Sequence, residues 1–280
     1  MPPAPVDVIQ GPSLLRTPAA RPHPSLLFLP GLRSLPFWTS DSPENSTQPR
    51  RIAYNDPMVT KVVEYLESNV DTIREEYLRV APTMNSDYDG LQDHNNKDNS
   101  KLHEGQWDWY TYLSKGNIQG HFVLKFPETS RIINEGLRQS NNNHQLFEGT
   151  PFGFSFFSSL GPDAKIAPHN APTNLRLRIH LPIVVSSSKK EDGDDNDNDD
   201  INVKTGLPYC GIRVANSIRS YQTNKALVLD DAYDHEVWND TNETRVVLLV
   251  DIWHPDISQT EKEAIVGMFQ TAKQNGLWRR

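Results

Sequence analysis

Two histidines, each within a strand-like run, are the residues of this chain that could hold a metal ion. Residues 168–185 (PHNAPTNLRLRIHLPIVV) contain His169, and residues 229–239 (LDDAYDHEVWN) contain His235. Imidazole nitrogens are common ligands of transition metals, and arginine binds carboxylates through paired hydrogen bonds. Arg176, Arg178 and Arg245 lie in the same part of the chain. The residue types therefore indicate a metal site next to a site for a carboxylate ligand.

The run after His169 predicts a β-strand with two unlike faces. Side chains alternate between the two faces of a strand. One face is apolar and holds Leu175, Leu177, Ile179 and Leu181, whereas the other holds Arg176, Arg178 and His180. Unpaired buried charges are costly, so the basic face either meets solvent at a sheet edge or lines a pocket for an anion. Arg245, at the head of the apolar run Val246–Val250, favours the pocket.

Several motifs follow one another along the chain in an order shared with a known family. They are HPSLLFLPGLRSLPFW (His23–Trp38), EGQWDWYTYL (Glu104–Leu113), FPETS (Phe126–Ser130), PHNAPTNLRLRIHL (Pro168–Leu181), CGIRVAN (Cys210–Asn216), DDAYDHEVWND (Asp230–Asp240) and RVVLLVDIWHP (Arg245–Pro255). Together they resemble the catalytic domain of the aspartyl/asparaginyl β-hydroxylases, which are Fe(II)- and 2-oxoglutarate-dependent oxygenases. The resemblance implies a mainly β fold, a double-stranded β-helix or cupin-like jelly-roll with flanking α-helices.

The resemblance also implies roles for individual residues. His169 and His235 match the two iron ligands of the family. Six residues match positions around the co-substrate 2-oxoglutarate: Trp107, Ser158, Arg178, Ile179, His180 and Arg245. Among these, Ser158 and Arg245 match the pair that holds the distal carboxylate. Arg176 is a candidate for binding a carboxylate or amide of the substrate.

Position 171 differs from the pattern of most non-haem iron oxygenases. Those enzymes carry a carboxylate two residues after the first histidine, whereas this chain has Ala171. The family resembles this chain here too, since it generally has glycine at that position and completes the metal site with water and co-substrate. Asp230, Asp231 and Asp234 precede His235 and either orient an imidazole or are ordinary acidic residues of a turn.

The activity implied by the resemblance is hydroxylation of an unactivated C–H bond, with consumption of 2-oxoglutarate and O₂. We expect the reacting atom to be the β-carbon of an Asp or Asn side chain in a peptide or protein. Two alternatives remain open. One is hydroxylation of a lipid acyl chain or a small acid, and the other is a metal- or anion-binding jelly-roll without turnover.

The other histidines and the single cysteine show no spacing typical of a site. His254 is expected to be packed or hydrogen-bonded, and surface or structural roles are expected for His23, His94, His103, His121 and His144. One cysteine, Cys210, excludes an internal disulfide and a CxxC zinc site.

The length of 280 residues and the composition indicate one domain. A net charge of −8 argues against broad nucleic-acid binding. We expect a disordered Pro-rich segment at residues 1–22, then a single oxygenase domain at residues 23–280 with a flexible acidic loop at 187–201. No run reaches the length of about 18 apolar residues that indicates a membrane span. A cytoplasmic location is favoured, although Arg16 and Arg21 leave an organellar transit peptide open.

Helices are predicted on both sides of the β-rich part. Asp56-Pro57 opens a helix whose apolar positions recur at three- and four-residue steps: Val59, Val62, Val63, Leu66, Val70, Ile73 and Tyr77. The closing helix is predicted at Ser258–Leu277, with a buried side formed by Ile265, Val266, Met268 and Phe269.

Overall fold

The structure is a computed structural model that describes residues 22, 24–39, 56–88, 102–138, 145–186, 201–202 and 205–277. The strands are β1 (His103–Glu104), β2 (Trp107–Ser114), β3 (Asn117–Ile118), β4 (Phe154–Leu160), β5 (Ala164–His169), β6 (Arg176–Val184), β7 (Ile201–Asn202), β8 (Leu207–Pro208), β9 (Cys210–Val214), β10 (Ser217–Ser220), β11 (Leu227–Leu229), β12 (His235–Asn239) and β13 (Arg245–Trp253). The helices are α1 (Pro57–Ser68), α2 (Val70–Val80), α3 (Gly120–Lys125), α4 (Pro127–Leu137) and α5 (Gln259–Gln274), with a 3₁₀ turn at Ala81–Thr83.

Eleven of the described strands form two antiparallel sheets that face one another, and β7 and β8 form a separate two-stranded sheet. The larger sheet has the order β11-β6-β13-β4-β2-β3, and the smaller has the order β1-β5-β12-β9-β10. An apolar cluster joins their inner faces and includes Leu160 and Val247 from the larger sheet and Ile166, Ile212 and Val237 from the smaller. Neighbours in each sheet that are distant in sequence are typical of a jelly-roll. The predicted fold class, a mainly β double-stranded β-helix with flanking helices, is confirmed.

Alternation along the central strands separates the core from the pocket. On β13, Val246, Leu248, Val250 and Ile252 point outward and pack under the helices. Arg245, on the same strand, points inward. Strand β6 alternates in the same way. The helices thus cover one face of the larger sheet, and its other face remains available for polar groups.

The predicted first helix is two helices. Asp56 caps α1, because its carboxylate accepts hydrogen bonds from the backbone N–H groups of Met58 at 3.1 Å and Val59 at 3.2 Å. Helix α1 ends at Ser68, and Asn69 leaves helical geometry with φ −107° and ψ 8°. The predicted apolar face is buried on both sides of this break. The prediction of one continuous helix was wrong at Asn69, whose side-chain amide donates to the Tyr65 carbonyl at 2.8 Å.

Helix α5 begins with a capping box, in which Ser258 and Glu261 bond to each other's backbone N–H. Phe269 is buried, and Ile265 and Val266 pack partly against the same cluster. Met268 was placed on the buried side, but it is 50% exposed. The buried polar residue of this helix is Lys262.

The segment of residues 24–39 ties the chain's beginning to the sheets. Arg33 forms ion pairs with Asp56 at 2.8 Å and Asp256 at 2.6 Å. Residues 1–21 and 187–200, which carry most of the predicted disordered segment and acidic loop, lie outside the described residues. None of the described helices has the length and apolar character needed to cross a bilayer.

Candidate metal centre and co-substrate pocket

A pocket of about 220 Å³ between the two sheets brings the predicted site residues together. Strands β2, β4, β5, β6, β12 and β13 contribute to its wall. The predicted site residues that line it are Trp107, Ser158, His169, Arg176, Arg178, His180, His235 and Arg245. The basic face of β6 therefore lines a pocket and is not the wet edge of a sheet.

Ile179 is the exception among the predicted site residues. Its side chain is fully buried in the apolar cluster under the helices, on the face of β6 opposite the pocket. Strand alternation forces this position, because the neighbouring Arg178 and His180 both point into the pocket. The prediction that Ile179 contacts the co-substrate therefore does not hold for its side chain.

His169 and His235 are brought together by strand pairing. His169 ends β5, His235 begins β12, and the two residues are direct partners in the antiparallel register. Their ring centroids lie 4.1 Å apart, with an angle of 51° between the ring planes. Two neighbouring strand ends thus hold two imidazoles at the inner wall of the pocket.

Backbone carbonyls fix the tautomer of both histidines. Nδ1 of His169 lies 2.8 Å from the carbonyl oxygen of Ala167, and Nδ1 of His235 lies 2.9 Å from that of Tyr233. A carbonyl oxygen only accepts hydrogen bonds, so each Nδ1 carries the hydrogen and each Nε2 keeps its lone pair. This arrangement is typical of metal-binding histidines.

Burial also keeps both rings neutral. Burial lowers the pKa of His169, although the hydrogen bond to the Ala167 carbonyl raises it in part. Burial, together with the neighbouring His169, lowers the pKa of His235 well below its ordinary value. Neutral imidazole is the form that binds metal ions.

A third protein ligand is not evident among the described residues. They contain no group of three or more His, Cys, Asp or Glu side chains that could hold a metal ion. Ala171 is buried and lines the pocket at the position where other oxygenases have a carboxylate. Its backbone N–H donates to the carbonyl oxygen of Asp231 at 2.7 Å, which links the loops that follow β5 and precede β12.

The three aspartates before His235 have partners other than the imidazole. Asp230 accepts from the Ser34 hydroxyl at 2.6 Å, and Asp234 pairs with Arg213 at 3.0 Å. Asp231 pairs with arginines of β6. The orientation of His235 is therefore set by a backbone carbonyl, and the hypothesis that an aspartate orients the ring was wrong.

Arg176 and Arg178 belong to a buried network with two aspartates. Arg176 lies 2.6 Å from Asp231 and 2.8 Å from Asp251. Arg178 lies 2.7 Å from Asp251 and 3.3 Å from Asp231. Burial would raise the pKa of Asp231, but the two arginines lower it well below its usual value. The network is electrically balanced, so these arginines do not present two free charges to a ligand.

Arg245 differs from the other two arginines. It is 2% exposed, and its guanidinium lies over the ring of Tyr221, 5.0 Å from the ring centroid. Its Nε has no hydrogen-bond partner within the described part of the chain. A buried cation without an anionic partner is costly, so a carboxylate from a ligand would be strongly favoured at this position.

Ser158 and Trp107 form one polar unit beside Arg245. The indole N–H of Trp107 donates to the Ser158 hydroxyl oxygen at 2.9 Å. The hydroxyl hydrogen of Ser158 remains available to a further acceptor. This pair can supply a neutral hydrogen bond next to the charge of Arg245.

Apolar side chains form much of the remaining wall. They are Leu102, Trp109, Phe154, Phe156, Ile166, Val237, Val247 and Leu249. Trp109 stacks on Phe156 with ring centroids 4.2 Å apart. Such a lining limits the access of water and strengthens the electrostatic interactions inside.

Residues that were expected to be structural occupy structural positions. His254 is 1% exposed, and its Nε2 lies 2.8 Å from the Arg33 carbonyl oxygen. His103 lies 3.2 Å from the Tyr88 hydroxyl, whereas His23, His94 and His144 lie outside the described residues. Cys210 is buried, and burial raises the pKa of its thiol to about 12.

Fe(II) and 2-oxoglutarate fit these side chains. Two neutral imidazoles with free Nε2 lone pairs suit a divalent iron ion, and the dicarboxylate matches the cation at Arg245 and the hydroxyl of Ser158. His180 adds a third polar group, since its Nε2 is buried and has no partner among the described residues. With few protein ligands, a keto acid has room to coordinate the metal as well.

Two residues of this site were not identified from the sequence. Asp251 is fully buried and balances Arg176 and Arg178. Its signal was a single acidic residue within the apolar run of β13. Tyr221 touches both His180 and Arg245, but no spacing in the sequence marks it.

In a comparison with known protein families, residues 67–255 match the family model described as Aspartyl/Asparaginyl beta-hydroxylase. Aspartyl/asparaginyl beta-hydroxylase of Mus musculus is 28% identical over 244 residues, which are 86% of this chain and 26% of that protein. Ornithine lipid ester-linked acyl 2-hydroxylase of Rhizobium tropici is 38% identical over 101 residues, 36% of this chain and 30% of that protein. The chain thus spans about a quarter of the length of the mouse relative.

Among solved structures, a prolyl hydroxylase from Trichoplax adhaerens, in complex with a peptide fragment of hypoxia inducible factor, matches with a TM-score of 0.38. The sequence identity is 10%, and the match covers 73% of this chain and 91% of that chain. A likeness of this size adds nothing to the fold assignment, which rests on the sheet order.

Proposed function

We propose that this chain, which belongs to the aspartyl/asparaginyl β-hydroxylase family, is an Fe(II)- and 2-oxoglutarate-dependent dioxygenase. The observation that carries this proposal is the pair of neutral imidazoles, each with a free Nε2, in the same pocket as a buried arginine without a described anionic partner. A site that only stores an anion would have no use for the two imidazoles. A site that only binds a metal would have no use for Arg245.

In this proposal each polar group has one task. His169 and His235 hold the iron, Arg245 and Ser158 bind the distal carboxylate of 2-oxoglutarate, and His180 donates to a carboxylate oxygen. Trp107 orients the Ser158 hydroxyl through its 2.9 Å hydrogen bond.

When bound, iron supplies the oxidising chemistry, in which O₂ and 2-oxoglutarate yield succinate, CO₂ and a hydroxylated substrate carbon. The protein contributes orientation and a largely apolar wall that limits the access of water.

Arg176 and Arg178, each paired with Asp231 and Asp251, form one polar wall of the pocket. Arg178 is the more accessible of the two, with a side chain 12% exposed against 4% for Arg176, so Arg178 is assigned to the keto-acid end of the co-substrate. Arg176 donates to Asp231 and to the Phe152 carbonyl. We therefore assign Arg176 a part in shaping the substrate side of the pocket.

The substrate we propose is a peptide or protein with an Asp or Asn side chain, hydroxylated at the β-carbon. The family and the mouse relative of that name support this choice. A second candidate is a lipid acyl chain. The match to the acyl 2-hydroxylase of Rhizobium tropici and the aromatic wall at Trp109, Phe154 and Phe156 favour it.

The experiment that tests the function measures succinate formation from 2-oxoglutarate with Fe(II) and O₂. Asp and Asn peptides are supplied in one arm and fatty-acyl amphiphiles in the other. Substrate-stimulated succinate identifies the class, and mass spectrometry locates the added oxygen. Complete lack of 2-oxoglutarate consumption, with iron bound, contradicts the proposal.

Arg245→Ala is expected to weaken 2-oxoglutarate binding while the fold persists. A carboxylate loses a charge-assisted partner in a partly dry pocket, which costs about 2–5 kcal/mol, or roughly 30-fold to a few thousandfold in affinity. Calorimetric titration of the metal-loaded protein under anaerobic conditions measures this loss. Arg219→Ala is the matched control, because Arg219 also lies over an aromatic ring, that of Phe37 at 4.8 Å, but outside the pocket. Unchanged affinity in Arg245→Ala contradicts the assigned role.

A further inference from the structure

Tyr221 contacts His180 and Arg245, two of the residues proposed to bind the co-substrate, but does not itself line the pocket. It follows β10, is 2% exposed, and packs in the apolar cluster between the sheets. Its hydroxyl lies 2.9 Å from Nδ1 of His180, and its ring lies under the guanidinium of Arg245.

The hydrogen bond between Tyr221 and His180 can run in two directions. A neutral imidazole has one donor nitrogen and one acceptor nitrogen. If Nδ1 of His180 donated, the hydroxyl hydrogen of Tyr221 would have no acceptor among the described residues, and Nε2 would turn a lone pair to the pocket. If the hydroxyl donates, its hydrogen is satisfied and Nε2 carries a hydrogen. The second arrangement leaves fewer buried polar groups without partners.

We propose that Tyr221 is a positioning residue that holds His180 in the Nε2–H tautomer, so that the pocket-facing nitrogen donates to a carboxylate oxygen of 2-oxoglutarate. The proposal rests on the proposed function for the identity of that ligand. The ring of Tyr221 also restrains Arg245 through a cation–π contact. One side chain thereby prepares two binding groups for the same co-substrate.

Two further observations agree with this assignment. Burial lowers the pKa of His180 well below its ordinary value, and nearby Arg178 and Arg245 lower it further. Burial also raises the pKa of Tyr221 far above neutrality. The imidazole is therefore neutral and the phenol keeps its hydrogen, so the tautomer of His180 decides whether Nε2 donates or accepts.

The three histidines of the pocket then differ by the partner of Nδ1. Carbonyl oxygens accept from His169 and His235 and leave their Nε2 lone pairs for a metal. A hydroxyl faces Nδ1 of His180. Unlike a carbonyl oxygen, this hydroxyl can donate a hydrogen bond to Nδ1. The same side chain thus serves as a metal ligand at two positions and as a hydrogen-bond donor at the third.

Long-range ¹H–¹⁵N NMR of protein labelled at histidine tests the tautomer directly. We expect His180 to show the Nε2–H pattern in the wild-type protein, with its signals assigned by their loss in His180→Gln. In Tyr221→Phe the Nδ1–H form is expected to become populated. A wild-type His180 in the Nδ1–H form overturns the proposal, whether or not 2-oxoglutarate binds, and whether or not the phenylalanine variant folds.

Co-substrate affinity provides the second readout. Tyr221→Phe keeps the ring under Arg245 and removes only the hydroxyl, so the Kd for 2-oxoglutarate is expected to rise by about tenfold or more, with metal affinity unchanged. In a His180→Gln background, where an amide donor needs no tautomer, Tyr221→Phe should add little. Tyr112→Phe is the control, since its fully buried hydroxyl donates to Asn134 at 3.0 Å, away from the pocket.

The outcomes separate the two proposals. Equal 2-oxoglutarate affinity in wild type and Tyr221→Phe overturns the role of Tyr221 and leaves the proposed function intact. A wild-type protein that binds metal but not 2-oxoglutarate contradicts the proposed function. In that case the NMR result still decides which tautomer Tyr221 imposes.

Discussion

Alanine at position 169 or 235 is expected to abolish Fe(II) binding. His169 and His235 are partners in the β5–β12 register, both line the pocket, and each keeps a free Nε2 lone pair. Without a third protein ligand in that part of the chain, a single remaining imidazole cannot retain the metal. Anaerobic titration with Fe(II), checked by metal analysis after gel filtration, measures the loss.

His121→Ala is the control for this experiment, because His121 is exposed and does not line the pocket. Ala171→Asp is the complementary variant, in which iron affinity is expected to be kept or increased, since it adds an anionic oxygen beside the two neutral nitrogens. We expect iron to bind at least as tightly in that variant, and turnover to fall because the carboxylate takes a coordination position. Stoichiometric iron in His169→Ala, with turnover, would show that another residue holds the metal.

The largest expected loss of stability follows from Asp251→Asn. Asp251 is fully buried, forms an ion pair with Arg176, and accepts hydrogen bonds from Arg178 and from the Phe154 backbone N–H. The amide keeps the shape of the side chain but leaves two buried guanidinium groups with one aspartate. Breaking a buried ion pair in this way costs about 3–5 kcal/mol, which chemical denaturation at neutral pH measures.

Glu128→Gln is the matched control, because both side chains of the Glu128–Arg131 pair are about half exposed and exposed pairs contribute little.

The dependence of the unfolding free energy on pH provides a second test of the network. The depressed pKa of Asp231 means that its ion pairing stabilises the fold above the usual carboxylate pKa of about 4 and is lost as the pH falls through the lowered value. An Asp251→Asn protein as stable as wild type would show that solvent already screens the network.

The two faces of β6 could be predicted from the sequence because strand alternation is local. Leu177, Ile179 and Leu181 lie on the apolar face, as the alternation predicts and against the co-substrate contact expected for Ile179, while Arg176 and Arg178 turn to the pocket. The jelly-roll and the histidine pair came from motifs whose order resembles a family. Leu175, just before the strand, packs in a different cluster from the other leucines, because the alternation of side chains applies only within the strand.

The partners of the arginines could not be predicted in the same way. Asp251 lies 73 positions from Arg178 along the chain, and only the β6–β13 register makes them neighbours. Tyr221 reaches His180 from a turn after β10, 41 positions away. Met268 was misplaced for a related reason, because helical periodicity identifies an apolar side without showing how much of it the rest of the protein covers.

The imidazoles of His169 and His235 are each oriented by the backbone carbonyl two residues earlier, that of Ala167 in β5 and that of Tyr233 in the turn before β12. A peptide carbonyl is present whatever the side chain at that position. Mutation can therefore change the side chains of the pocket wall without removing the carbonyl groups that orient the two imidazoles. If these imidazoles bind iron as proposed, substrate preference can diverge over evolution while the iron ligands keep their orientation, and directed evolution of the wall is expected to retain iron binding in most variants.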